Sequence, residues 1–185
     1  MRKFLAGALL VLLTACGTLR PTAVPERPER GAIAAFSIEG RLSLRQGERP
    51  YAAHIAWRHD PASDEIFITG PLGQGIAELS RNAGGAKLVT ADRKTTTAAD
   101  WTALAEELLG VPLPLSGMAH WIAGEASASA WDDLGRPLKA QEAGWNIDYL
   151  DYEVARPDAL PVLVELRRDD IEVRIRIDEW LLNPD

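Results

Sequence analysis

From residue 36 onward, apolar and polar side chains alternate. Phe36, Ile38, Gly40, Leu42 and Leu44 fall on one face of an extended segment, and Ser37, Glu39, Arg41, Ser43 and Arg45 on the other. A period of two with this sidedness is that of a half-buried antiparallel strand. Gln46-Gly47-Glu48 turns the chain. Residues 50–59 then repeat the pattern, with Tyr51, Ala53, Ile55 and Trp57 on one side and His54 and Arg58 opposite. Asp60-Pro61-Ala62-Ser63-Asp64 reads as the next turn. Strands are predicted over 65–69, 76–80 and 86–90, with a short edge segment over 93–97. Short strands separated by such regular turn signals form a meander that curls into a barrel or a sandwich.

The period then lengthens to that of a helix. Thr97-Ala98-Ala99-Asp100 supplies a variant of the capping box, Trp101, Leu104, Ala105, Leu108 and Leu109 form one apolar stripe, and Gly110 ends it. After the rigid Val111-Pro112-Leu113-Pro114, a second short helix over about 116–123 carries Met118, Trp121 and Ile122 and stops at Gly124. Neither helix is long enough to be stable alone, so both stripes need the apolar side of the sheet. Residues 126–131 read as a loop or weak strand. Strand signals return over 138–140, 145–150, 160–167 and 171–180, with a hairpin turn at Arg168-Asp169-Asp170. The order is strands, two helices, strands: one α+β domain on a curved antiparallel sheet.

One turn is out of character. Gly70-Pro71-Leu72-Gly73-Gln74-Gly75 has the glycines and proline of a chain reversal, yet places a leucine at its tip. Leu72 either folds back onto the core or stands out in water as an apolar hook. The inward face of the sheet leaves a similar choice between a filled core and a ligand cavity.

The N-terminus carries an address. Arg2 and Lys3 precede an apolar run over 4–13, too short to span a bilayer, and Leu13-Thr14-Ala15-Cys16 closes it. This reads as a signal peptide over 1–15 that looks like a lipobox, with Cys16 lipidated as the mature N-terminus and Gly17 favouring passage to the outer membrane. Pro21, Pro25 and Pro28 make 16–31 a semi-extended tether, ahead of a domain over 32–185. The 185 residues include 20 basic and 27 acidic groups, a net charge of −7. Removing residues 1–15 takes away two basic groups and leaves 18 against 27, a net −9. That balance argues against a general nucleic-acid binder. A single cysteine excludes an internal disulfide framework.

Catalytic chemistry finds little support. His54, His59 and His120 are scattered, with no HExxH motif or Cys/His cluster, and no Gly-x-Ser-x-Gly or phosphate-binding loop occurs. Asp132-Asp133 and Asp169-Asp170 sit in turn contexts. Neither an enzyme nor a metal or other cofactor is expected.

Several pieces together resemble the LolB family of outer-membrane lipoprotein receptors. They are Gly40-Arg41-Leu42, Trp57, Pro71-Leu72-Gly73, Gly110-Val111-Pro112-Leu113-Pro114-Leu115, Trp121-Ile122-Ala123-Gly124, Gly144-Trp145 with Tyr149, Leu160-Pro161 and Trp180. Trp131-Asp132-Asp133 departs from the family pattern. The resemblance implies an unclosed, half-open antiparallel β-barrel with a short-helix lid over a hydrophobic cavity. It implies a receptor, expected to be monomeric, that takes acylated lipoproteins from the periplasmic carrier LolA and inserts them into the outer membrane. Pro71, Leu72 and Gly73 would form its membrane-insertion loop. The acyl-chain cavity would draw on Phe36, Ile38, Leu42, Leu44, Ile55, Trp57, Ile68, Leu104, Leu108, Leu113, Leu115, Trp121, Ile147, Tyr149 and Trp180. At about 0.8 kcal/mol per methylene exposed to water, such a cargo needs shielding in transit. A structural lipoprotein, or a lipocalin-like binder of a small apolar molecule, are the alternatives.

Overall fold

The computed structural model describes residues 24–109 and 115–184. The first meander comprises β1 (Phe36–Gln46), β2 (Arg49–His59), β3 (Asp64–Thr69), β4 (Gly75–Asn82), β5 (Gly85–Thr90) and β6 (Thr95–Ala98). Helices α1 (Trp101–Leu109) and α2 (Leu115–Ile122) follow. The second meander comprises β7 (Ala128–Trp131), β8 (Pro137–Glu142), β9 (Trp145–Tyr152), β10 (Pro161–Arg168) and β11 (Ile171–Leu182). All eleven strands form one antiparallel sheet in the order β6-β5-β4-β3-β2-β1-β11-β10-β9-β8-β7. The first and last strands pair at its centre, and the edges are β6 and β7. The chain must therefore cross from one edge to the other between them, and the two helices lie on that crossing. The result is a mixed α+β fold with a large antiparallel sheet and two short helices.

Every hairpin within this order turns at one end of the sheet: β1–β2, β3–β4, β5–β6, β8–β9 and β10–β11. The start of β1, the end of β11 and the remaining loops lie at the opposite end. There Arg27 pairs with Glu153 and Asp158 accepts from the Arg27 backbone N–H, while Arg156 donates to the carbonyls of Val24 and Pro25. Residues 24–31, expected within the tether, are thus fastened to the β9–β10 loop. Residues 1–23, with the expected signal peptide and Cys16, lie outside the described residues.

A bulge aligns the central strands. Glu39 faces Glu179 but Gly40 faces Ile177, so Asp178 is an extra residue on β11. Ile171, Val173, Ile175 and Ile177 face inward on odd positions, and the bulge brings the even-numbered Trp180 to the same side. Its cost is a close approach: a Cβ on Gly40 would lie 2.2 Å from the Arg176 carbonyl oxygen. Only glycine fits there.

Asp64 fastens the helical crossing to the sheet. The turn reading of the sequence placed it in solvent, but it opens β3 and is 2% exposed. Trp57 Nε1 donates to its Oδ1 (2.9 Å), and His59 Nδ1 lies 2.6 Å from the same oxygen. Arg81 Nε (2.6 Å) and Trp101 Nε1 (3.2 Å) donate to Oδ2. One carboxylate so joins β2, β4 and the first residue of α1. The helix cap also differs from the capping box expected at Thr97. Thr97 is paired in β6, and Asp100 Oδ1 accepts from the Ala103 N–H at 2.9 Å. The apolar core and its strand pairings lie between residues 33 and 182, so the segment from residue 24 onward is a self-sufficient folding unit.

Two stability predictions follow from these contacts. Gly40→Ala forces two backbones apart and should lower unfolding stability by about 2–3 kcal/mol, read from the urea midpoint. For Asp64, burial pushes the carboxyl up, but the hydrogen bonds from His59, Trp57, Arg81 and Trp101 outweigh it and hold the group below its ordinary 3.8. A carboxyl depressed on folding contributes stability that is complete above 3.8 and is lost as pH falls through the folded value. Asp64→Asn should therefore cost about 3 kcal/mol at pH 7. It should also flatten the acid limb of stability below about pH 4.

Candidate apolar cavity and exposed loop

The apolar side of the sheet is divided in two. Under β8, β9 and β10 it is packed solid. Trp121 of α2 meets Trp145 with ring centroids 6.5 Å apart, and Ile147, Tyr149, Leu160 and Val164 fill the space around them. The Tyr149 hydroxyl donates to the Trp121 carbonyl at 2.9 Å, locking α2 to β9. Burial pushes that phenol well above its ordinary range. At the opposite end from the hairpins, Phe36 stacks edge-on against Trp57 and Trp180, at 5.5 and 5.2 Å, and closes the sheet with an aromatic plug.

Between these packed regions, under β1 to β5 and α1, lies an open cavity of about 390 Å³. Its walls are Leu42 and Leu44 of β1, Ala53, Ile55 and Trp57 of β2, Ile66 and Ile68 of β3, Ala77 and Leu79 of β4, and Leu88 of β5. Leu104 and Ala105 of α1, Met118 of α2 and Ile175 of β11 cover it. Of the lining side chains only Tyr51 and Trp57 carry a polar atom, and the Trp57 indole N–H is already given to Asp64. The volume falls in the range of small-ligand pockets. The lining selects for apolar chains, because a polar ligand group would find no partner there. The rim lies at the hairpin end, where Tyr51 is 56% and Ile76 42% exposed.

The residues expected to form an acyl-chain cavity therefore separate. Leu42, Leu44, Ile55, Trp57, Ile68 and Leu104 are brought together on this cavity. Phe36, Ile38 and Trp180 lie instead in or beside the aromatic plug, and Trp121, Ile147 and Tyr149 in the filled half. Leu113 lies outside the described residues, as do the side chains of Leu108 and Leu115. Alternation and helical spacing could not divide one inward face into packed and open regions, since both carry the same pattern. The same alternation marks Ile66, Leu79 and Leu88, which were not singled out.

The β3–β4 hairpin stands beside the rim. The Gly73 N–H donates to the Gly70 carbonyl at 2.9 Å, and the Gly70 N–H to that of Gln74 at 2.8 Å. Pro71 takes the second position of this turn, which its fixed φ suits, and Gly73 has φ +80°. Leu72 is left at the third position with its side chain outward. It is 94% exposed, the hook rather than the folded-back core residue.

Among the described residues no group of His, Cys, Asp and Glu is arranged to hold a metal, and no helix is long and apolar enough to cross a membrane.

Known proteins supply an independent line of evidence. The family described as outer membrane lipoprotein LolB matches residues 34–180. The outer-membrane lipoprotein LolB of Azoarcus sp. (strain BH72) is 38% identical across 98% of this chain and 97% of its own length. That of Dechloromonas aromatica (strain RCB) is 35% identical across 94% of each. Among solved structures, a LolA superfamily protein from Nitrosomonas europaea covers 83% of this chain and 88% of its own with a TM-score of 0.51. At 7% identity that is a likeness of fold alone. A match over nearly the whole sheet domain, and relatives well over 30% identical along almost their full length, place this chain in the outer membrane lipoprotein LolB family.

Proposed function

We propose that this protein is an outer-membrane lipoprotein receptor that shields the acyl chains of lipoprotein cargo in its cavity and releases them into the membrane. The observation that carries the reading is an apolar cavity of about 390 Å³ whose rim adjoins a leucine that is 94% exposed. At about 30 Å³ per methylene-sized group, the cavity holds roughly a dozen methylenes. Sheltering a dozen methylenes is worth about 10 kcal/mol. That suffices to keep a chain out of water, and it is less than a bilayer offers the two or three chains of a whole lipid anchor. Cargo then passes downhill, from the soluble carrier LolA to this cavity and from the cavity to the bilayer.

Cys16 is the lipid attachment point in this reading and holds the domain at the periplasmic face of the outer membrane. The clamp on Val24 and Arg27 leaves residues 16–23 as free tether, a reach of at most about 28 Å. Pro71, Leu72 and Gly73 form the loop that meets the bilayer. An exposed leucine forgoes roughly 1.5–3 kcal/mol of burial, which is recovered when the loop enters hydrocarbon. The cavity rim is then held against the membrane at the point of release.

Two measurements test this reading. Ala53→Phe places a ring in the cavity from β2, and it should weaken saturable binding of a fluorescent fatty-acyl probe at least tenfold while leaving the thermal transition within a few degrees. An unchanged titration would mean that the probe binds elsewhere. Leu72→Glu should alter unfolding stability by no more than about 0.5 kcal/mol. It should leave acyl-probe binding intact and strongly reduce delivery of an acylated protein to vesicles.

A further inference from the structure

On the outer face of the sheet, the hairpin end carries a groove of basic residues. His54 of β2 lies opposite Arg41 of β1, Arg41 opposite Arg176 of β11, and Arg176 opposite Leu163 of β10. Like charges placed directly opposite destabilise a sheet, so this row requires a compensating anion. Asp178 supplies only part of it. It accepts from Arg41 Nε and Nη2 at 3.2 and 2.8 Å and lies 3.6 Å from Arg176 Nε. The pattern extends across the face. Arg174 and Arg167 share Glu165, and Arg167 and Lys139 share Asp148. Five cations thus share three carboxylates on this surface of a chain whose net charge is −7.

The position of the groove indicates the anion. Arg41, Arg174, Arg176 and His54 line it without a carboxylate among the lining residues, and Pro71 of the Leu72 loop forms part of its wall. Thr69 pairs with His54, so the row lies three residues behind Leu72, at most about 10 Å along an extended chain. The headgroup layer of a bilayer is about 5–8 Å deep on each side of the hydrocarbon. A leucine that reaches the hydrocarbon therefore leaves the arginine row facing the outer headgroups. The acidic Glu48, Asp169 and Asp170 sit on the hairpins across the row from Leu72, so an anionic surface is met with the β3–β4 side foremost.

We propose that the Arg41–Arg176 groove is a binding site for lipid headgroup phosphate, which orients the domain as Leu72 enters the membrane. Guanidinium groups suit it, because their planar donors match two phosphate oxygens at once. The inference rests on the reading of the Leu72 end as the membrane-facing end. The groove sets how the domain stands on the bilayer, and the leucine sets how deeply it enters.

Vesicle flotation of the segment 24–185 tests it, with phosphatidylethanolamine/phosphatidylglycerol vesicles in one arm and galactosyl diacylglycerol vesicles, which lack phosphate, in the other. The parent should bind the phosphate-bearing vesicles more tightly, with an affinity that falls as salt rises. Arg41→Gln combined with Arg176→Gln should lose about thirtyfold, at about fivefold per arginine. Acyl-probe binding and the melting temperature should be unchanged. Inorganic phosphate at the same phosphorus concentration should not displace the protein; if it does, the groove is a site for free phosphate. Equal binding to both vesicle types, or a double variant that floats like the parent, overturns the proposal. So does a double variant that floats normally but no longer accepts cargo from the carrier, which makes the groove a protein-docking surface. If Leu72→Glu floats like the parent, the membrane-facing assignment itself fails; if it does not float and the double variant does, only the groove is at fault.

Discussion

A single buried carboxylate holds the two layers of this protein in register. Asp64 receives two indole N–H groups, one guanidinium and one imidazole, drawn from β2, β4 and α1. Burying such a charge is expensive unless every lone pair is used, and here the partners use them. The same side chains close the cavity from behind. Trp57 forms part of its wall, and Trp101 starts the helix that covers it. An apolar space large enough for a ligand would collapse or flood if its lid could drift, so the polar cluster is what allows the empty region to persist beside a packed core.

That arrangement divides the labour along the sheet. The half under β8 to β10 is filled by tryptophans and branched aliphatics and supplies rigidity. The half under β1 to β5 is built from the same residue types but is left open toward the hairpin end. The bulge at Asp178 belongs to the same division, because it turns Trp180 inward to complete the aromatic plug while Ile175 still reaches the cavity. Rigid parts lie at the end where the chain enters and leaves. The apolar rim, the Leu72 loop and the basic groove all lie at the other end. A receptor that must meet a membrane needs such polarity, and the all-antiparallel topology provides it by placing every hairpin that borders the cavity on one side.

Much of this was legible in the chain. Alternation from Phe36 to Arg45 and from Ile171 to Asp178 marked the central strands and their inward faces, because strand geometry sends successive side chains to opposite sides. The change of period after residue 100 marked the helices, and the edge segment near 93–97 emerged as β6. Asp64 was misread because an acid after Asp60-Pro61-Ala62-Ser63 is usually part of a solvated turn; its partners Arg81 and Trp101 are 17 and 37 residues away. Trp180 was assigned to the cavity although it breaks the alternation of its strand. The bulge that turns it inward, into the plug, exists only in the pairing of two strands distant in sequence.

The sequence by itself determined the class of fold, the strand and helix order, the family and the turn that presents Leu72. Those depend on local periodicity and on the backbone preferences of proline and glycine. Only the tertiary structure decided which inward residues surround space and which fill it. It also decided that Leu72 points away from the core, and that Arg41 and Arg176 come to lie side by side. A strand pattern records which side of the sheet a residue faces. It carries no record of how far away the opposite layer stands, because that distance is set by the helical crossing and the charge cluster that pins it.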